Sequence, residues 1–201
     1  MPALAVQPGF FDIGPQQLAI DAECGIRYIP AVVDPAQAQA WFEVLRERVA
    51  WQAMRRPMYD RVVDVPRLVC AYRLDDPGVP APIADIAARV SAELAEPFNT
   101  VGLNHYRDGR DSVAPHNDKR HTLVPGHPIA VLSLGAARRM TIRRKQPPRP
   151  AINIDLEPGS LLVMSHASQS HYDHGVPKVR GPVGPRISLA FRVRPRGTTR
   201  D

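Results

Sequence analysis

The sequence predicts a single domain, mostly β with flanking helices (an α+β arrangement), whose second half is a sandwich or jelly roll. Three observations predict it. The length, 201 residues, suits one domain with a sizeable core. From about residue 97 onward, short apolar runs are divided by turn signals at the spacing typical of all-β layers. The 22 prolines work against long helices, and helical periodicity is confined to two stretches of the first half.

Taken in order, residues 1–26 read as an arm lying over the domain, and Arg27–Val33 as a short strand. Asp34-Pro35 follows, an acid at the N-cap with proline at the first helical position. Ala40, Trp41, Phe42, Val44, Leu45 and Val49 continue the helix. Arg55-Arg56-Pro57-Met58-Tyr59 reads as a basic, aromatic-containing loop, and Arg67–Leu74 as a strand. A second helix runs from Pro82 to Ala95, with Ile83, Ile86, Ala87, Val90 and Leu94 on one face. The predicted strands of the second half are 98–106, 129–134, 139–143, 151–156, 160–165 and 186–193, and residues 195–201 form a polar tail.

Composition excludes several classes. With 44% hydrophobic and 23% charged residues, the chain is not disordered. The net charge of +6 suits a polyanionic partner, although many basic proteins have none. Cys24 and Cys70 make no disulfide framework and are read as reduced and buried, which goes with a cytoplasmic protein. Neither a basic segment ahead of the first apolar residues nor a long apolar run occurs, so neither export nor a membrane span is expected. A monomer is expected.

His116-Asn117-Asp118 is an H-x-D pair. In extended chain, residues two apart point to the same side, so one imidazole and one carboxylate converge. A third ligand from the histidines near 171–174 completes two histidines and one carboxylate. That set leaves positions open on iron(II) for a chelating co-substrate and O2. His174 and His171 compete for the third place; His105, His121, His127 and His166 are more remote candidates. Alone, the H-x-D pair is weak evidence.

Arg186–Val193 alternates strictly, with Arg186, Ser188, Ala190 and Arg192 on one face and Ile187, Leu189, Phe191 and Val193 on the other. The polar face is either solvent-exposed or a binding face, in which small Ser188 and Ala190 leave room between two guanidinium forks suited to a dicarboxylate. Asn104 and Tyr106 share a strand face in the same way and offer an amide and a phenol to a keto acid.

Six runs, in order, carry a resemblance. They are Asn104–Gly109 (NHYRDG), Pro115–Asp118 (PHND), Pro128–Gly135 (PIAVLSLG), Pro158–Met164 (PGSLLVM), His171–Pro177 (HYDHGVP) and Pro185–Arg192 (PRISLAFR). Together they resemble the AlkB family of iron(II)- and 2-oxoglutarate-dependent nucleic-acid dioxygenases, closely over 95–194 and loosely over 27–95. The resemblance implies a double-stranded β-helix (jelly roll) core in 96–194, behind helices and a nucleotide-recognition lid in 27–95. It implies His116, Asp118 and His174 as ligands of iron(II), with His171 a neighbour. It implies that Asn104, Tyr106, Arg186, Ser188 and Arg192 hold 2-oxoglutarate, Arg186 at its distal carboxylate. The implied reaction uses O2 and demethylates alkylated bases of the 1-methyladenine or 3-methylcytosine type in DNA or RNA, releasing formaldehyde, succinate and CO2. In one place that matters the chain departs from the pattern: Lys119-Arg120-His121 stand where many members carry acids that help recognise the base, and at a second Ser188 stands where some members have Asn.

Arg138, Arg139, Arg143, Arg144, Lys145 and Arg149 crowd one stretch with no acid among them, which reads as a phosphate-binding edge or a solvated hairpin. A target base must be single-stranded or flipped out. Tyr59, Tyr72 and Trp51 are candidates to stack on it, Trp51 fitting a core place better. The candidate substrate contacts are thus Tyr59, Tyr72, Arg120, Arg138 and Arg143. Two other readings stand beside this one: a 2-oxoglutarate oxygenase of proteins or small molecules, and a nucleic-acid-binding protein without turnover.

Overall fold

The computed structural model describes residues 14–58, 61–148 and 150–196, the side chains of 56–58 and 61–63 excepted. The first helix, α1 (Pro35–Arg48), starts as its sequence dictates: the Asp34 carboxylate accepts the Gln37 N–H at 3.0 Å. Arg46 and Arg48 in its last turn complement the helix dipole. Ala38, Phe42 and Leu45 are its buried stripe. The second, α2 (Ala81–Leu94), buries Ile83, Ile86, Ala87 and Val90 and ends on Ala95 in the left-handed region. A single short turn of helix, α3, covers Ser168–His171.

Twelve strands are described: β1 (Gln16–Ala19), β2 (Ile26–Ile29), β3 (Gln52–Met58), β4 (Arg61–Arg73), β5 (Thr100–Tyr106), β6 (Val113–His116), β7 (Ile129–Gly135), β8 (Arg138–Arg144), β9 (Ala151–Leu156), β10 (Leu161–Met164), β11 (Tyr172–Val176) and β12 (Arg186–Arg192). They form an eight-stranded sheet in the order β1-β2-β10-β7-β12-β5-β4-β3 and a four-stranded sheet in the order β6-β11-β8-β9. The pairings are antiparallel throughout.

Strand alternation divides the interior into two layers. Val101, Leu103, Leu132, Leu134, Ile187, Leu189 and Phe191 pack with Phe42, Leu45, Ile83, Ile86 and Val90 of the helices. Tyr106, Val131, Met140, Ile142, Ile154, Leu162, Met164, Val176 and Ala190 form the second cluster, to which both sheets contribute. The polar face of β12 is therefore not solvated: Arg186 is 0%, Ser188 3% and Ala190 7% exposed.

Four expectations are corrected. Residues 55–58 are not a loop but part of β3, since β4 is long enough to pair with them. The arm before residue 27 contributes β1 and part of β2 to the large sheet. The segment 27–95 likewise adds β3 and β4 to that sheet rather than standing apart from it. Cys24 is exposed, not buried, and both cysteines are free. No described helix is long and apolar enough to cross a membrane.

Two glycines hold this frame by having no side chain. Gly159 has φ +77, and a Cβ there would lie 2.2 Å from the Val33 carbonyl oxygen. Gly175 lets β6 approach β11 closely; its Cβ would meet the Val113 oxygen at 2.8 Å.

Candidate active site

The site is built where the two sheets face each other. His174 on β11 pairs across the strand with His116 on β6, and the ring centroids are 4.5 Å apart. His116 Nδ1 lies 3.0 Å from the Ala114 carbonyl. A carbonyl only accepts, so Nδ1 carries the proton and Nε2 keeps its lone pair. His174 is buried, and burial together with the nearby His116 lowers its pKa to about 4. It is a neutral imidazole at ordinary pH, as a metal ligand must be. His171 instead lies exposed at the end of α3.

Asp118 follows β6. Its N–H donates to Gln169 Oε1 at 3.0 Å. Its carboxylate is gripped by Arg192, whose Nε donates to Oδ2 at 2.9 Å and Nη2 to Oδ1 at 3.1 Å. Burial works to raise the Asp118 pKa, but Arg192 and the two histidines outweigh it and hold the group ionised below its usual range. Both carboxylate oxygens are held by Arg192, and the charges of His174 and His116 act on the same carboxylate, although among the described residues the three side chains are not closed into a ready-made metal cluster.

Arg186 is the second anchor. It is fully buried, and Nη2 donates to Ser133 Oγ at 2.9 Å. Its Nε and Nη1 meet no acceptor in normal hydrogen-bond geometry, and the guanidinium carbon lies 5.2 Å from the centre of the Tyr106 ring. Burial lowers its pKa. Two unanswered N–H groups on a buried cation are a vacancy for a carboxylate. Asn104 faces the same interior: its Oδ1 accepts Arg67 Nε at 2.7 Å, and its Nδ2 lies 3.4 Å from Ser188 Oγ.

The proposed substrate contacts fare differently. Tyr72 is corrected: β4 pairs Tyr72 with Val101, so alternation points it to the helix side, where it packs on the core beside Cys70. Burial, with Cys70 beside it, pushes its phenol up to about 12. Arg138 is corrected as well. It is 2% exposed and donates to the carbonyls of Asp108, Asp111 and Pro177, with Tyr106 under its guanidinium at 5.5 Å. It ties loops together and cannot reach a polymer. Arg143 is exposed, but β8 turns it outward, away from buried Ile142. Arg139 is spent on Asp155 and Lys145 on Asn117, the Gln169 carbonyl and Asp173, so the basic stretch is not one continuous edge. Arg120 is exposed, with Nη1 donating to Ser170 Oγ at 2.7 Å. Trp51 packs at the core margin against His105. Tyr59 and Arg149 lie outside the described residues.

Sequence reasoning missed Arg67, Gln169 and Ser133. Arg67 shares the strand phase of the face bearing Asn104, but seeing this requires the β4–β5 register. A cavity of about 240 Å³ opens beside Arg67, walled in part by Ser112, Val113, Pro115 and Val176. A larger groove of about 810 Å³ runs elsewhere, between residues 108–110 and 179–184. Neither lining includes His116, Asp118, His174, Arg186 or Arg192; the smaller cavity touches the cluster through Arg67, the partner of Asn104.

A two-sheet sandwich with two histidines, a carboxylate and a buried arginine between its layers defines a class. The model of the 2OG-Fe(II) oxygenase superfamily matches residues 72–192. Human DNA oxidative demethylase ALKBH2 is 37% identical over 114 residues, covering 53% of this chain and 44% of that protein. Mouse alpha-ketoglutarate-dependent dioxygenase alkB homolog 3 is 29% identical over 221 residues, covering 99% of this chain and 76% of that protein. The human homolog 3 is 28% identical over 211 residues, covering 96% and 73%. The match thus spans less than half the length of the human ALKBH2 it resembles. The chain belongs to the 2OG-Fe(II) oxygenase superfamily, in its AlkB family. Members use iron(II), 2-oxoglutarate and O2, and the donor set fits. Two imidazoles with free lone pairs and an ionised carboxylate suit iron(II) with open positions, while the vacancy at Arg186 suits a dicarboxylate.

Proposed function

We propose that this protein oxidatively demethylates alkylated bases in nucleic acid, with His116, Asp118 and His174 holding iron(II) and with Asn104, Tyr106, Arg186, Ser188 and Arg192 around 2-oxoglutarate. The observation that carries the reading is the fully buried Arg186, whose Nε and Nη1 meet no acceptor in normal hydrogen-bond geometry and whose further polar neighbour is the Tyr106 phenol, at one end of the strand whose other end, Arg192, grips Asp118. The names of the relatives, a DNA oxidative demethylase and an alpha-ketoglutarate-dependent dioxygenase, support the same chemistry.

When bound together, the iron, the keto acid and O2 supply the oxidation: succinate and CO2 leave, the N-alkyl carbon gains a hydroxyl, and the hemiaminal breaks down to base and aldehyde. The chain's own part is positional. The Ala114 carbonyl fixes the His116 tautomer. Arg192 keeps Asp118 ionised, and Gln169 fixes its backbone. Arg186 supplies two N–H groups to the distal carboxylate, and Arg67, by engaging Asn104 Oδ1, leaves the amide N–H groups free to donate. The sandwich excludes water from buried Arg186 and Ser188, which strengthens the contacts they make, while His116 sits at the exposed edge.

The test uses anaerobically reconstituted iron(II) protein with 2-oxoglutarate and methylated DNA and RNA oligonucleotides, read by mass after admission of O2. Loss of one methylene from an oligonucleotide is the expected result and names the polymer. Succinate formed at an undiminished rate without any nucleic acid, and no loss from any oligonucleotide, would assign the chain to a protein or small-molecule substrate instead.

A further inference from the structure

Lys145 belongs to the basic run around β8, yet its ammonium is committed to the segments that carry the metal ligands. Lys145 directly follows β8, and its N–H donates to the His171 carbonyl at 2.9 Å. The residue is therefore fixed beside the start of β11, where Tyr172 pairs with Arg144. Nζ donates to Asn117 Oδ1 and to the Gln169 carbonyl, each at 2.8 Å, and lies 3.6 Å from Asp173 Oδ1. An ammonium has three N–H groups, and these three acceptors match them.

The acceptors sit on either side of the metal ligands. Asn117 stands between His116 and Asp118, and Asp173 precedes His174. The Asn117 amide acts as a strap. An ammonium only donates, so Oδ1 faces Lys145, and Nδ2 donates to the Asp118 carbonyl at 3.0 Å. Gln169, 2% exposed, accepts the Asp118 N–H on Oε1 at 3.0 Å while its own carbonyl accepts from Lys145. Both main-chain groups of Asp118 are thus bonded to side chains of the two residues that Lys145 grips. These ties matter because β6 ends at His116, so Asp118 lies past the last pairing with β11.

Resting on the iron(II) site of the reading above, we propose that Lys145 is a positioning residue of that site: through Asn117 and Gln169 it fixes the main chain of Asp118, and through Asp173 it sets the spacing of that segment from His174. It touches neither metal nor substrate. Partners that orient metal ligands contribute roughly tenfold to a hundredfold to metal affinity. The charge of Lys145 works in the opposite sense. A cation beside the ligands repels a metal ion, and removing it leaves the Asp173 carboxylate uncompensated next to His174, which attracts one. Position and charge therefore predict changes of opposite sign when the ammonium is removed.

The experiment titrates manganese(II) into the whole protein without nucleic acid and reads free manganese(II) by electron paramagnetic resonance. Wild type, Lys145→Met, Asn117→Ala and Arg144→Met are compared, and melting without metal reports the fold of each. Lys145→Met should bind manganese(II) roughly tenfold to a hundredfold more weakly. Asn117→Ala, which removes one strap and leaves the charge, should bind more weakly by a smaller factor. Arg144→Met, an exposed neighbour in the same basic run, should bind as wild type does. Unchanged or tighter binding by Lys145→Met would overturn the proposal, and if that variant does not fold, unchanged binding by Asn117→Ala would do so. An equal loss in Arg144→Met would also overturn it, by showing an effect common to the run. A wild type that binds no manganese(II) would remove the metal site itself, whereas a normal wild-type titration with unchanged variants leaves that site standing and removes only the role of Lys145.

Discussion

Replacing Arg186 by Met separates a binding arginine from a structural one, because the two roles predict effects of opposite sign. Arg186 is a fully buried cation with two N–H groups unanswered and one bond to Ser133. An unpaired buried charge costs several kcal/mol of folding free energy, and an apolar residue of similar volume often relieves it. Against that gain stand the lost bond to Ser133, about 1.5–3 kcal/mol for a charged donor, and the contact with the Tyr106 ring, about 1 kcal/mol. The ligand-free variant is therefore expected to melt no lower than wild type. Co-substrate binding should move the other way. Two hydrogen bonds from a charged donor are worth about 1.5–3 kcal/mol each, so at least a hundredfold loss of 2-oxoglutarate affinity follows at about 1.4 kcal/mol per tenfold. The assay is thermal melting with manganese(II) in place of iron(II), with and without 2-oxoglutarate. At a hundred times Kd the ligand adds about 2.7 kcal/mol to wild type, roughly 5–10 °C for a chain of this size, and the variant should show no shift at that concentration. A ligand-free variant melting more than about 5 °C below wild type, or one retaining the ligand shift, would refute the assignment.

Two further predictions follow from the same geometry. Asp118→Asn keeps the shape but removes the charge that a metal and Arg192 both require, so turnover should fall roughly a hundredfold or more; activity within a few-fold of wild type would exclude Asp118 as a ligand. His105 is buried against Trp51 with neither ring nitrogen bonded, and burial lowers its pKa. The unfolded chain takes up this proton near pH 6.5 and the folded chain only at lower pH, so the stability it contributes is complete above that range and is lost as pH falls through it. Urea titrations between about pH 7.5 and 5 should show stability falling more steeply in wild type than in His105→Leu; equal slopes would show that the folded protein accommodates the imidazolium.

Much of the second half was legible because its signals are local. The alternation in 186–193 marks both faces of β12, and Asp34-Pro35 marks the start of α1, since each depends on neighbours in sequence. What escaped depends on register. Arg138 and Arg143 look alike in a basic run, yet strand phase buries one and exposes the other. Tyr72 reads as an available aromatic until its pairing with Val101 turns it to the helices. β6 and β11 are four and five residues long and mixed in polarity, too short to declare themselves by period, yet they bring His116 and His174 together.

The same register explains why β12 can serve as a ruler. Arg186 and Arg192 lie six residues apart on one face, about 20 Å of extended chain, far more than a five-carbon dicarboxylate spans. Both side chains lean inward. Arg192 Nη1 donates back to the Ala190 carbonyl, and Arg186 reaches Ser133, which pairs with Ser188. Between them stand the small Ser188 and Ala190, both buried. The gap between the guanidinium groups is thus shorter than the strand and is closed on the Arg192 side by Asp118. A slip of one residue in the pairing with β5 and β7 would turn both arginines to the helices. The apolar face of β12, packed against α1 and α2 through Ile187, Leu189 and Phe191, therefore fixes the length of the site as firmly as the residues that line it.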